Sequence, residues 1–191
     1  MVDPVVLRIA KTAILSKFDS SYVIDKDKLK KQYPFLAQKG AAFVTLNKQK
    51  DLRGCIGSII AHRELLEDII HNAHSAAFSD PRFPPLSKDE MQEELFLEVS
   101  LLSEPQLLEY SDYEDLMQKI TPYKDGLILK YGSYQGTFLP QVWEQLPKVE
   151  AFLEHLSYKA GANPTIYQHH PDIYVYHVEH IQERWDAIQP L

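Results

Sequence analysis

The chain has 191 residues, 45% of them hydrophobic and 25% charged, a composition that excludes long disordered stretches and suffices for a real hydrophobic core. A formal net charge of −7 excludes a general attraction to nucleic acid or anionic membrane, though a local basic pocket is still allowed. The single cysteine, Cys55, excludes an intramolecular disulfide and a cysteine-based zinc site. No apolar run reaches the roughly 18 residues of a membrane span, and no signal-like start precedes the first helix, so a soluble, cytoplasmic protein is expected.

Asp3-Pro4 reads as a cap with proline in the first helical turn, and Val6, Ile9, Ala10, Ala13 and Ile14 recur at helical spacing, predicting a helix to about Phe18. Asp25 to Gln32 is at most a short solvated helix, broken by Pro34 and Gly40. Ala41–Asn47 and Leu52–Ile60 form a predicted hairpin around Lys48-Gln49-Lys50-Asp51. Arg63–Phe78 is the clearest helix, its apolar face carrying Leu65, Leu66, Ile69, Ile70, Ala73, Ala76 and Ala77. Ser87 to Glu90 fits a capping box opening a short helix, and Glu94–Leu102 alternates as a strand.

In the second half, Ser111 to Glu114 is another capping box, ahead of a helix to about Ile120. Leu127–Tyr131, a turn over Gly132–Gly136 and a return through Leu139 make a second hairpin. A helix starts at Pro147, with Gly161 placed for a left-handed C-terminal cap, and Ile173–Val178 is the last expected strand. Frequent hairpins without a regular strand-helix-strand rhythm favour an α+β fold with antiparallel sheet and flanking helices.

Candidate chemistry centres on Leu52-Arg53-Gly54-Cys55-Ile56-Gly57. Strict strand alternation puts Arg53, Cys55 and Gly57 on one face, with thiol and guanidinium roughly 7 Å apart along the backbone, close enough for the cation to favour a thiolate. Gly54 and Gly57 suggest a bulge or a close approach by a ligand or another backbone. The structural alternative makes Cys55 a small buried hydrophobe and Arg53 an ordinary ion-pair partner. Asp80 and Arg82 follow the long helix and can pair; the alternative is a turn in which Asp80 caps backbone amides. Glu98 stands opposite the apolar face of its strand, where a cleft would let it act as a general base and solvent would leave it idle.

The eight histidines offer no complete ligand set. His71 and His74 have helical ligand spacing but face away from, or lie at the margin of, the apolar stripe, and His169-His170, His177 and His180 define no further ligands; no metal and no cofactor are expected. Dinucleotide and Walker-type glycine motifs, the Gly-x-Ser-x-Gly elbow and the His-Glu-x-x-His helix are all missing.

The hexapeptide at 52–57 resembles the signature of the AMMECR family. Four more segments match in order: Ala76-Ala77 through Asp80-Pro81-Arg82-Phe83, Glu98-Val99-Ser100, Lys124-Asp125-Gly126, and Leu139-Pro140-Gln141-Val142-Trp143-Glu144 continuing to Lys159-Ala160-Gly161. The resemblance covers nearly all of the chain and implies one AMMECR-like domain over residues 1–191, with a larger and a smaller lobe and a surface onto which the signature faces. It implies no established catalytic activity. Relatives resemble one component of the AmmeMemoRadiSam set, which implies a Memo-like protein and a radical S-adenosylmethionine protein as partners. Ser157 stands where many relatives have cysteine, which weakens any scheme needing a second thiol near Lys159, and Ala162 replaces the usual leucine.

Two function classes follow. In one, a binding component uses Arg53, Arg82 and Lys159 to receive an anionic small molecule or modified side chain, with Gly54, Gly57, Asp80, Ser100 and Gln141 completing the candidate binding set. In the other, an enzyme uses Cys55 as a nucleophile or thiolate acceptor, Arg53 to lower its pKa, and Glu98 or a histidine to handle protons. A third, purely architectural role for the motif stays open.

Overall fold

The computed structural model describes Met1–Leu191 and divides into two compact units, one of Met1–Leu102 with Glu179–Leu191 and one of Ser103–Val178. The helices are α1 (Val5–Leu15), α2 (Lys26–Gln32), α3 (Leu65–Phe78), α4 (Tyr113–Lys119) and α5 (Val149–Lys159). The strands are β1 (Lys39–Lys48), β2 (Asp51–Gly57), β3 (Arg63–Glu64), β4 (Leu95–Leu102), β5 (Gln106–Leu107), β6 (Gly126–Tyr131), β7 (Tyr134–Phe138), β8 (Asp172–Tyr176) and β9 (Val178–Arg184). The sheet of the first unit runs β2-β1-β4-β9 with β3 also paired to β1, and the sheet of the second runs β5-β8-β6-β7. β1 pairs antiparallel with β2, β3 and β4, and β8 and β6 pair antiparallel with their neighbours, so the α+β class with antiparallel sheets is the fold observed.

In the first unit, Asp3 accepts the Val5 amide at 2.9 Å and α1 buries Val6, Ile9, Ala10, Ala13 and Ile14; it stops at Leu15 rather than Phe18. Asp25 caps α2, which buries only Leu29 and ties Lys26 and Lys30 to Glu67 and Glu64. The hairpin turn is Gln49-Lys50, with Gln49 left-handed at φ 57°, and β2 ends at Gly57 rather than Ile60. α3 lays Leu66, Ile69, Ala73, Ala76 and Ala77 onto the sheet, packing against β1 and β2. Ser87 to Glu90 opens a 3₁₀ turn over Asp89–Gln92 instead of an α-helix, although Glu90 does accept the Ser87 amide as a capping box requires. The C-terminal segment crosses α1: Lys11 donates to the carbonyls of Trp185 and Ile188 at 2.5 and 2.8 Å, and Arg8 to those of Gln189 and Pro190.

In the second unit, the β6–β7 turn is the two residues Gly132-Ser133, with Gly132 at φ 57°, and Gly161 closes α5 at φ 86° as its position predicts. The cap of α4 is shifted by one residue: Asp112 accepts the Asp115 amide, and Asp115 returns to the Ser111 amide. Trp143 is fully buried and stacked on Phe152 at 3.7 Å, its indole donating to the Asp125 carbonyl. The final expected strand is β8, beginning at Asp172 and ending at Tyr176; β9 follows it directly and has no counterpart in the sequence reading.

Candidate functional site

The register of the first sheet builds the site. Thr45 on β1 stands opposite Cys55 on β2 and Glu98 on β4, so thiol, hydroxyl and carboxylate form one row across three strands. The next row is Gly57, Phe43 and Ser100. Directly opposed residues of antiparallel strands share a face. This is the face turned from α3, because Gly54, one residue from Cys55, is the position that meets the helix. Cys55, Thr45, Glu98 and Ser100 are all half-buried. The Thr45 hydroxyl donates to the Cys55 sulfur at 3.2 Å, and the Ser100 hydroxyl to Glu98 at 3.3 Å.

Arg53 does not join that row, and a bulge is the reason. Between Leu46 and Asn47 the register shifts, so Leu46 faces Gly54 while Asn47 faces Leu52, and Arg53 is the residue left over. The alternation that would set it beside Cys55 breaks there. Its guanidinium goes to Glu90, with Nε at 2.7 Å and Nη2 at 3.2 Å, and to the Pro84 carbonyl at 2.8 Å. The side chains are 8% and 17% exposed, and Nη1 of Arg53 is buried without a partner. Glu90 is held down to about 2, chiefly by the Arg53 hydrogen bond.

The cation beside the thiol is Arg82. Asp80, from the turn after α3, accepts the Cys55 amide at 3.0 Å, the Arg82 amide at 3.1 Å, and Arg82 Nε and Nη2 at 3.0 and 2.8 Å. Arg82 Nη2 also donates to the Cys55 carbonyl at 3.3 Å. Both sequence readings of this turn hold together: Asp80 caps backbone amides and pairs with Arg82. The Asp80 side chain is 2% exposed and that of Arg82 is 55% exposed. The Arg82 guanidinium holds the Asp80 carboxyl well below the usual carboxylate range. Burial pushes the Cys55 thiol up; the Thr45 hydrogen bond and the Arg82 charge oppose the rise, while Asp80 and Glu98 add to it. Expected activation by Arg53 is therefore replaced by a raised thiol whose one cationic restraint is Arg82.

Neither signature glycine opens an empty space. A side chain at Gly54 would meet the Ala76 carbonyl oxygen at 2.1 Å, so the backbone of α3 fills that side. At Gly57 the Phe43 ring lies 2.2 Å from where a Cβ would sit. Gln141 and Lys159 are exposed positions of the second unit, in the 3₁₀ turn Pro140–Glu144 and at the end of α5. Ser157 is fully buried and donates to the Glu154 carbonyl. Among the histidines, His71 is exposed as its wheel position predicts, and His74 touches the Ala13 carbonyl at 2.6 Å.

A polar centre that sequence reasoning missed lies on the helix side. Asp68 of α3, fully buried, accepts the Ala42 amide at 2.8 Å, the Ser58 hydroxyl at 2.8 Å, Arg63 Nε at 2.7 Å and the Asn72 amide at 3.1 Å. Four donors satisfy a buried carboxylate, so it clamps β1, the end of β2 and β3 to α3. The available signal was two polar residues four apart inside the apolar stripe of α3.

The AMMECR1 family model matches residues 7–181. The chain belongs to the AMMECR1 family. It is 39% identical over 168 residues to a protein of Sulfolobus acidocaldarius, covering 83% of this chain and 70% of that one. A protein of Methanocaldococcus jannaschii is 38% identical over 155 residues, 77% of this chain and 75% of the relative. Among solved structures, an uncharacterised protein of Pyrococcus horikoshii superposes with a TM-score of 0.75 at 34% identity, covering 97% of this chain and 95% of that one. In this AMMECR1-family chain, no helix is long and apolar enough to cross a membrane.

Proposed function

We propose that the chain is a ligand-binding component, and that the sheet face carrying Cys55, Thr45, Glu98 and Ser100, with Arg82 at its edge, receives the ligand. The observation that carries the reading is Arg82 itself: a sealed Asp80 fixes the guanidinium from one side and leaves it half exposed beside the Cys55 peptide. A guanidinium so oriented suits a carboxylate or phosphate, and Glu98 would accept a donor from the same molecule. The ligand class is thus a small molecule or modified side chain bearing both an anion and a hydrogen-bond donor. Arg53 takes no part because Glu90 occupies it.

Ligand-observed NMR with amino- or amide-bearing carboxylates, each beside its uncharged ester, tests this. Saturable binding of the acids is expected, lost in Arg82→Gln and retained in Cys55→Ser. Unchanged binding in Arg82→Gln would remove the proposal. The second reading, an enzyme with Cys55 as nucleophile and Glu98 as proton acceptor, is favoured by the shared row and opposed by the raised thiol. It gains if Cys55→Ser abolishes a chemical change that Arg82→Gln merely slows. Assembly with a Memo-like and a radical S-adenosylmethionine protein belongs to the proposal on family resemblance alone, and sedimentation of the mixed purified proteins tests it.

A further inference from the structure

We infer that the second unit carries a binding site for an organic ammonium ion, in the pocket lined by Tyr110, Asp112, Tyr113, Tyr167 and His170. The pocket is an open cleft of about 570 Å³, within the range of small-molecule sites. Its chemistry is unusually one-sided. Three tyrosines and a histidine supply aromatic surface, Asp112 is the only carboxylate on the lining, and no lysine or arginine reaches it.

The polar ends of the deeper aromatic residues are already spent. The Tyr110 hydroxyl donates to the Pro171 carbonyl and the Tyr167 hydroxyl to the Leu153 carbonyl, while His170 Nε2 lies 2.8 Å from the Tyr110 carbonyl. His170 stacks on Tyr110 with centroids 4.1 Å apart, and Tyr113 leans on Tyr167 at 5.4 Å, so the rings brace one another. At Tyr110 and Tyr167 a visitor therefore meets ring surface rather than a free hydroxyl, while Ser111, Tyr113 and Gln168 add polar groups to the lining. Aromatic faces attract cations through the ring quadrupole, and quaternary ammonium groups suit them best because they ask for no hydrogen bonds.

Further carboxylates stand near the pocket, and the nearby Lys119 is paired with Asp115. Burial pushes the Tyr113 hydroxyl up, and the negative charges of Glu150 and Glu154 push it further. The start of α4 would oppose a cation, but Asp112 caps the Asp115 amide and the carboxylates of Asp112, Glu114 and Asp115 offset the positive end of the helix. An anion would find no counter-charge on the lining.

Two sources share this chemistry, a free quaternary ammonium compound and a trimethylated lysine side chain, and one experiment separates them. The intact chain is titrated by NMR with choline, with its uncharged isostere 3,3-dimethylbutan-1-ol, and with the N-acetyl amide of trimethyl-lysine. Saturable binding of the ammonium compounds is expected, with the isostere weaker by about tenfold. Tyr113→Phe should keep the affinity, Tyr113→Leu should lose it, and Asp112→Asn, which still caps the helix, should weaken it severalfold. Tighter binding of the lysine derivative assigns the site to a modified side chain, and tighter binding of choline to a free compound. Equal binding of the isostere, unchanged binding in both Tyr113→Leu and Asp112→Asn, or no saturable binding of either ammonium compound overturns the inference. This site and the sheet face of the first unit stand or fall separately.

Discussion

Two arginine–carboxylate pairs flank Phe83, and they differ in the exposure of the arginine. The Arg53 and Arg82 guanidinium carbons lie 5.9 and 5.5 Å from the ring centroid. In the Arg53–Glu90 pair both side chains are largely sealed; in the Arg82–Asp80 pair only the carboxylate is. The first joins β2 to the segment at Pro84–Glu90 and offers nothing outward, whereas the second fixes a cation and presents it. Residue type alone does not separate mortar from handle. Whether the cation is desolvated does.

The strongest way to break this contrast is unfolding by denaturant. Arg53→Ala removes the donor of the Pro84 carbonyl and the buried cation that pairs with Glu90, leaving the carboxylate the Ser87 amide and hydroxyl, and a loss of about 3 kcal/mol is expected. Arg82→Gln leaves Asp80 its two backbone amides, so about 1.5 kcal/mol is expected. Equal losses would erase the distinction between the pairs.

Acid titration sharpens it next. The Glu90 pKa lies near 2 when folded against an ordinary 4.5, so its contribution to stability is complete above about 4.5 and disappears as pH falls towards 2. Stability should fall across that window, and Glu90→Gln should flatten the fall. A window unchanged in Glu90→Gln would show that Arg53 does not hold the carboxylate charged.

The smallest effect concerns the thiol. Its alkylation rate should rise with an apparent midpoint above the ordinary 9.0, because burial dominates. Arg82→Gln should move that midpoint further up, since Arg82 opposes the rise, and Arg53→Ala should leave it in place. A shift in Arg53→Ala alone would reverse the roles given to the two arginines.

Much of this architecture could be read from the chain, because periodicity in α1, α3 and β4 reports directly on which side chains are buried. Cys55 and Glu98 share a face through Thr45, as two independently alternating strands allow once they are paired. What escaped was any feature set by a third element. The glycines point to a bulge, but strand periodicity cannot locate the extra residue, and it is Arg53 that the bulge carries away from the thiol it was expected to activate. The partner of that arginine, Glu90, sits in a segment whose local pattern suggested only a helix cap. Asp68 is polar on an apolar stripe, and its meaning depends on Ala42, Ser58 and Arg63 arriving from elsewhere. β9 lacks the alternation of a half-buried strand, with only Val178 and Ile181 partly covered, so its pairing with β4 left little trace.

The Asp80–Arg82 clasp has a consequence for association. β2 is an outer strand of its sheet, and an outer strand normally displays main-chain groups that another polypeptide can copy onto. At Cys55 both groups are already engaged, the N–H by a carboxylate and the C=O by a guanidinium. The rim is thus proofed against strand addition at the very residue where the thiol lies, which leaves that border free to meet a small visitor without recruiting a second sheet.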